Sequence, residues 1–273
     1  MINPNPPPEP TSSPAGTTDR HDLARALGAL RNQVGHLETL IGPEVDAVRL
    51  SGKDLRPGWQ HSYRGESRLP VAVAVILAIG LQIALPAHLV FKPTWLLPGL
   101  EGAVLVGITL ANPRRISRTS TLLRTASTAL IALTSLANAW SSGQLIHGLI
   151  NGTEGQNAGP LLSSGGSIYL TNIIVFALWY WEWDRGGPVA RSQGRRLYPD
   201  FLFPQMTQAH LAPDNWVPTF FDYAYLSFTN ATAFSPTDTM PLARWAKMLM
   251  LIQSAVSLIT LALVIARAVN ILK

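Results

Sequence analysis

From residue 69 onward the chain is a series of apolar runs separated by short polar segments, while the first 68 residues are polar. A helix needs about 20 apolar residues to cross the roughly 30 Å hydrocarbon layer of a membrane. Runs 69–91, 126–150, 161–183 and 242–272 meet this length, and 95–111 and 216–234 are weaker candidates. Backbone polar groups in lipid must pair within their own segment, so these runs are predicted as helices rather than open strands. The expected fold is all-α: a polytopic membrane helix bundle of about six spans over residues 69–273.

The polar N-terminal part divides further. Residues 1–18 are rich in Pro, Ser and Thr and carry almost no large apolar side chain. Such a segment buries too little to order, and a disordered tail is predicted. An amphipathic helix is expected within 19–50, where Leu23, Leu27, Leu30, Val34, Leu37 and Ile41 recur at alternating spacings of four and three. That is a heptad seam, as in a short coiled coil. Gly28 and Gly35 weaken it, each by about 1 kcal/mol relative to Ala. Two readings follow: a cytoplasmic helix that joins copies or recruits a partner through residues 19–41, or a helix lying on the membrane or on its own spans. Residues 51–68 read as a basic linker.

Charge fixes the orientation. The net charge of +5 gives no reason to expect nucleic acid as a partner, because Lys and Arg in a membrane protein mark cytoplasmic loops. Lys53, Arg56, Arg64 and Arg68 precede the first run. Arg114, Arg115, Arg118 and Arg124 follow the second, and Arg185, Arg191, Arg195 and Arg196 follow the fourth. The opposite loops hold only Lys92. The N-terminus and the loops at 112–124 and 184–215 are therefore expected in the cytoplasm. The first apolar run starts too late for a cleaved signal, so it reads as an uncleaved span. Segment 216–234 either crosses, giving six spans with both termini inside, or dips in and turns back, sending the last helix outward. Crossing is the favoured expectation, since nineteen residues of helix reach about 28 Å.

Candidate chemistry is sparse. There is no cysteine, hence no disulfide, thiol chemistry or Cys-based metal site. No nucleophile–base pair, metal cluster or phosphate loop stands out, so neither an enzyme, a cofactor nor a metal is expected. Glu101, in W-L-L-P-G-L-E-G-A-V, is the one carboxylate inside an early run. It reads either as an intramembrane ion or proton site beside a break at Pro98 and Gly99, or as an interfacial residue. Asn138, Gln144 and His147 read as interhelical hydrogen-bonding residues. In L-W-Y-W-E-W-D-R-G-G-P, Trp181 and its neighbours read as an aromatic interface belt. Glu182, Asp184 and Arg185 there are expected to pin the helix end by ion pairing.

The most specific pattern is Y-L-S-F-T-N-A-T-A-F-S-P-T-D-T-M-P at 225–241. It resembles the pore helix and filter of potassium-channel-like proteins, S-F-x-T-x-T-T-V-G-Y-G-D-x-x-P, with Ser227, Phe228, Thr232, Asp238 and Pro241 at matching positions. The following 242–272 looks like the inner helix of bacterial two-span pores, including V-I-A-R at 264–267. The resemblance covers about 50 residues, under a fifth of the chain, within the module 216–273. The whole chain also resembles an uncharacterised family of bacterial multispan membrane proteins sharing W-E-x-D-R-G-G-P and P-D-F-L-F-P-Q (199–205), which implies a bacterial inner-membrane location.

The T-V-G-Y-G core of the filter is replaced here by Ala233, Phe234, Ser235, Pro236 and Thr237. A potassium filter lines up backbone carbonyls and relies on glycine for left-handed backbone angles, which Pro236 cannot adopt. A pore built on Thr232–Asp238 would therefore select with the side chains of Thr232, Ser235, Thr237 and Asp238. The resemblance implies a cation pore in a lipid-embedded homo-oligomer, a tetramer by analogy. The competing readings are a tight hairpin in a non-conducting scaffold, with Thr229 and Thr232 bonding their own backbone and Asp238 capping the last helix, and a small-solute transporter using Glu101.

Overall fold

A computed structural model of the chain describes residues 25–37, 39–40, 57–111, 121–154, 157–208, 211–232 and 238–272. The chain divides into two compact units, residues 1–55 and 56–273. In the first, helix α1 covers 25–37 and continues at 39–40. Its heptad side chains Leu27, Leu30, Val34 and Leu37 are all more than half exposed. The tail at 1–18, Leu23 and Ile41 lie outside the described residues.

The second unit is mostly helical. It holds α2 (Leu69–Ile83), α3 (Leu96–Ala111), α4 (Thr121–Ile150), α5 (Ala158–Trp183), α6 (Pro188–Ser192), α7 (Pro204–Thr207), α8 (Phe220–Thr232) and α9 (Arg244–Ile271). Strands β1 (Phe201–Leu202) and β2 (Met240–Pro241) pair antiparallel, Phe201 opposite Pro241. Among the described residues two helices are long and apolar enough to cross a membrane: α5 with the 3-10 turn after it (Ala158–Gly186), and α9 (Arg244–Ile271). Helices α2 and α3 are apolar but shorter. The first apolar run was expected to be one helix over 69–91, but α2 stops at Ile83, and Pro86 follows in a sequence of turns. Proline lacks the N–H needed to continue a helix. Leu85 and Leu89 of these turns are buried with Leu145, Leu161, Ile168 and Val264 in a small core.

Helix α5 is the centre of the bundle, packing against α2, α4, α8 and α9, while α3 covers α2 and α4. The α5–α9 contact is antiparallel. Trp183 meets Trp245, with ring centroids 5.5 Å apart. Asn172 donates to the Ser257 hydroxyl at 2.9 Å. At the far end Gly165 lies against Val264, where a Cβ would sit 2.8 Å from the valine methyl. Small residues let helices approach this closely.

The start of α2, the end of α3 and the start of α4 gather at the end where α5 finishes. Arg68 donates to the Ile108 carbonyl near the end of α3 at 2.9 Å. Ser127, near the start of α4, donates to Glu182 at 3.1 Å. At the other end the α2–α3 and α4–α5 connections are joined by His88 and Glu154, 2.5 Å apart.

Residues 57–68, read as a linker from sequence, belong to this second unit. Trp59 is buried in its main core, and Tyr63 N–H donates to the Ser192 carbonyl at 2.9 Å.

Candidate functional site

Helix α8 is 13 residues long, about 20 Å. The reason it starts at Phe220 is local: Thr219 precedes it, and the Asp222 carboxylate accepts from the Thr219 N–H at 2.7 Å and from its hydroxyl at 2.9 Å. This is one half of a capping box, the carboxylate reaching back to the N–H of the residue before the helix. Phe220 packs edge-on to Trp181, at 6.3 Å, so α8 begins at the end where α5 finishes. Ser227 then donates to the Ile173 carbonyl at 2.7 Å, deeper along α5. Asn230 reaches the Met250 carbonyl at 3.0 Å, and Ser254 donates to the Asn230 carbonyl at 3.1 Å. The helix therefore ends part-way along α9, which continues to Ile271.

The chain then returns. Met240 and Pro241 pair with β1, and Leu242 N–H donates to the Asp200 carbonyl at 2.8 Å. Both Asp200 and β1 lie beside the α5 terminus, where Asp200 N–H donates to Asp184 at 3.0 Å. Helices α8 and α9 thus start at one end of the bundle. The β1–β2 ladder holds residue 240 at this end, the end from which α8 also begins.

A buried polar ladder fixes the depth of α8. Gln253 of α9 donates to the Ser227 hydroxyl at 2.7 Å and to its carbonyl at 2.9 Å. Its amide oxygen accepts from Tyr180 at 2.6 Å and Asn230 at 2.8 Å. Gln253 is fully buried and this set satisfies its amide, as a buried polar group requires. The outward face of α8 is apolar: Phe221, Tyr225 and Phe228 are exposed, next to an exposed α9 face with Leu251, Leu258 and Ile265.

A charged cluster closes the entry end. The Arg191 guanidinium donates from Nε to Glu66 Oε1 at 3.0 Å and from Nη2 to Oε2 at 3.2 Å. It also donates from Nη1 to the carbonyls of Trp181 at 2.5 Å and Asp184 at 2.9 Å. Trp181 Nε1 and Tyr63 complete the Glu66 carboxylate at 2.5 and 3.0 Å. Burial alone would lower the Arg191 pKa, but the Glu66 carboxylate raises it above its ordinary value, so the cation persists. Burial and then the Glu66 charge push the Tyr63 phenol above its ordinary range. Asp184 accepts from Tyr223 at 2.7 Å and from the N–H groups of Asp200 and Phe201 at 3.0 and 3.3 Å.

Arg185 takes a positive φ of 50°, a conformation uncommon outside glycine. Its N–H donates to Asp200 at 2.7 Å, its Nη1 donates to the Trp59 carbonyl at 2.7 Å, and its guanidinium lies 5.5 Å from the Trp59 ring centre. The expected helix-end ion pair is loose, with Arg185 Nε 3.7 Å from Asp184.

The structure revises several sequence expectations. Of the residues read as an aromatic belt, Trp181 is buried while Trp179 and Trp183 are partly exposed. Glu182, Asp184 and Arg185 are buried too, with Trp59 and the α6–β1 stretch beside them. Glu101 lies inside the bundle. It is fully buried between α2, α3 and α4, its two oxygens accepting from Gln82 at 3.3 and 3.2 Å, with Thr134 beside it. Helix α3 runs unbroken through Pro98 and Gly99. Thr229 and Thr232 do donate to their own helix, to the carbonyls of Tyr225 and Thr229 at 3.0 and 2.8 Å. Asp238 does not cap α9, whose cap residue is Ala243 with no side-chain bond; it is exposed beside β2. Ala233, Phe234, Ser235, Pro236 and Thr237 lie outside the described residues.

Glu66, Tyr223 and Gln253 were not singled out from sequence, and Arg191 and Asp200 entered only as a loop charge and as part of the 199–205 stretch. Glu66 carried a signal: it is the one acidic residue between Asp54 and Glu101. Asn230 and Gln253 were visible only as polar positions in apolar helices, and Ser227 only as a match to the pore-helix pattern. The chain matches no protein-family model, no curated protein and no solved structure.

Proposed function

We propose that the chain is a multi-pass membrane protein of the bacterial inner membrane, with five spans (α2, α3, α4, α5 and α9) and α8 as a re-entrant half-helix. The N-terminus and the basic end face the cytoplasm, following the bias of Lys and Arg toward that side. The C-terminal helix α9 then runs outward. Within this frame the segment from α5 to α9 is a cation pore module, assembled from several copies.

The observation that carries this reading is the depth at which α8 stops. A helix that ends inside a bilayer leaves its last carbonyls without helical partners at membrane depth. Such backbone is tolerated only when buried in protein or lining a water-filled cavity. Helix C-termini carry partial negative charge, so the end of α8 at Thr232 favours a cation in front of it. The hydroxyl of Thr232 and the carboxylate of Asp238 flank residues 233–237 on the two sides. The exposed apolar faces of α8 and α9 supply the surface on which copies associate.

A second reading has its own support. The polar groups of α8 are consumed internally by Gln253, Ile173 and the helix's own carbonyls, which suits a non-conducting scaffold. A transporter would use Glu101. Cation flux into liposomes carrying the purified protein separates these, with wild type, Asp238→Asn and Glu101→Gln compared. The pore reading expects flux that Asp238→Asn weakens several-fold and Glu101→Gln leaves intact. Flux abolished by Glu101→Gln alone supports the transporter, and no flux from well-inserted protein supports the scaffold.

A further inference from the structure

A cavity of about 280 Å³ opens at the basic end, between α2, α3, α4, α5 and the turn that follows α5. It takes no part in the pore module. Its floor is apolar, formed by Val75, Ile108, Leu130, Ile131 and Leu178. Its polar lining is Arg68, Arg124, Arg195, Ser127 and Glu182, together with the Gly186–Gly187 backbone. Three guanidinium groups therefore face one carboxylate.

The state of these groups suits an anion. Glu182 already accepts from Ser127 at 3.1 Å. Arg68 uses one nitrogen on the Ile108 carbonyl, and its Nε is buried with no hydrogen-bond partner among the described residues. Arg124 and Arg195 are exposed at the rim. A buried donor without a partner is costly, and an acceptor arriving in the cavity recovers part of that cost. The cavity is small for a whole ligand, at the lower limit of the usual few hundred Å³. It suits a charged head and the start of a chain, with the remainder lying along the exposed helix faces outside. Basic pockets between helices on the cytoplasmic side are suited to acidic lipid head groups.

We propose that this cavity binds an anionic phospholipid of the surrounding leaflet. The phosphate sits among Arg68, Arg124 and Arg195, and the acyl chain enters over the apolar floor. A head-group hydroxyl can donate to Glu182, so a glycerol head fits the lining better than choline. This inference rests on the membrane reading but is independent of the pore.

The test uses the full chain in vesicles of phosphatidylcholine with increasing phosphatidylglycerol, with flotation scored first. Protein that does not float with vesicles overturns the membrane reading and this one with it. For floating protein, retained lipid is counted by native mass spectrometry after gentle extraction. Wild type should retain phosphatidylglycerol at least fivefold over phosphatidylcholine. Arg124→Gln with Arg195→Gln, both on exposed side chains, should erase that preference. Ala72→Phe, which fills the floor, should lower retention of both lipids. Equal retention of the two lipids by wild type, or a preference the arginine variants leave unchanged, overturns the proposal. So does full displacement of the lipid by inorganic phosphate, which would make this a small-anion site.

Discussion

Gln253 on α9 donates two hydrogen bonds to Ser227 on α8, at 2.7 Å to the hydroxyl and 2.9 Å to the carbonyl. That pair holds a half-length helix at a fixed depth against a full-length one. It also makes Gln253 the hub of the polar ladder, since Tyr180 and Asn230 donate to the other side of its amide.

Gln253→Leu should therefore strand the Tyr180 hydroxyl and take one partner each from Asn230 and Ser227, which keep the carbonyls of Met250 and Ile173. Each buried polar group left unpaired costs about 1–3 kcal/mol. Thermal unfolding in detergent should show a larger loss for Gln253→Leu than for Tyr180→Phe, which removes one donor only. Equal losses would mean that the ladder is not cooperative.

The Glu66–Arg191 pair predicts strong non-additivity. Removing one partner of a buried ion pair leaves the other charge uncompensated, at a cost of about 3–5 kcal/mol. Glu66→Met and Arg191→Met should each be severe alone, and the double variant clearly less damaging than their sum. Additive losses in a double-mutant cycle would remove the pair from the account.

Tyr63 predicts an alkaline effect. Its pKa is raised in the folded state above the ordinary value of 10.0 by burial and by Glu66. The folded chain holds the proton more tightly, so the stability gained is fully present below pH 10 and is lost as pH rises above it. Denaturant unfolding of wild type above pH 10 should weaken more steeply than that of Tyr63→Phe. Parallel pH curves would contradict the assignment.

The α5–α9 contact predicts a compensating pair. A Cβ at Gly165 would lie 2.8 and 2.9 Å from the two methyls of Val264. Gly165→Ala should lower the unfolding temperature, because overpacking a filled contact costs about 1–3 kcal/mol. Adding Val264→Ala should restore much of the loss. If Gly165→Ala is neutral alone, the two helices are further apart than described.

The helical class, the order of the helices and their approximate limits could be read from hydrophobic runs alone. Helices α5 and α9 were placed within three residues of their observed ends, because long uniform runs leave little choice. What could not be read was the tertiary use of polar residues. Arg185 and Arg191 entered the sequence argument as loop charges, yet both are buried and bound to Trp59 and Glu66, contacts made across more than 120 positions. The depth of α8 was equally hidden. Its apolar run is long enough to span, yet α8 covers only Phe220–Thr232, and Met240 pairs with Leu202 beside the α5 terminus. Glu101 looked close to a membrane face by position, but its partner Gln82 on α2 sets its burial.

The re-entrant path of α8 is the centre of the account, and the absence of cysteine makes it directly testable by labelling. Tyr198→Cys, Asp238→Cys and Leu272→Cys place single thiols at exposed positions in the loop after α5, beside β2 and after α9. Membrane-impermeant maleimide is applied to intact spheroplasts and to inverted vesicles. The account predicts that Tyr198→Cys and Asp238→Cys label together in inverted vesicles, and that Leu272→Cys labels only in spheroplasts. If Asp238→Cys labels from the face opposite to Tyr198→Cys, α8 crosses the membrane and the half-helix pore module is wrong.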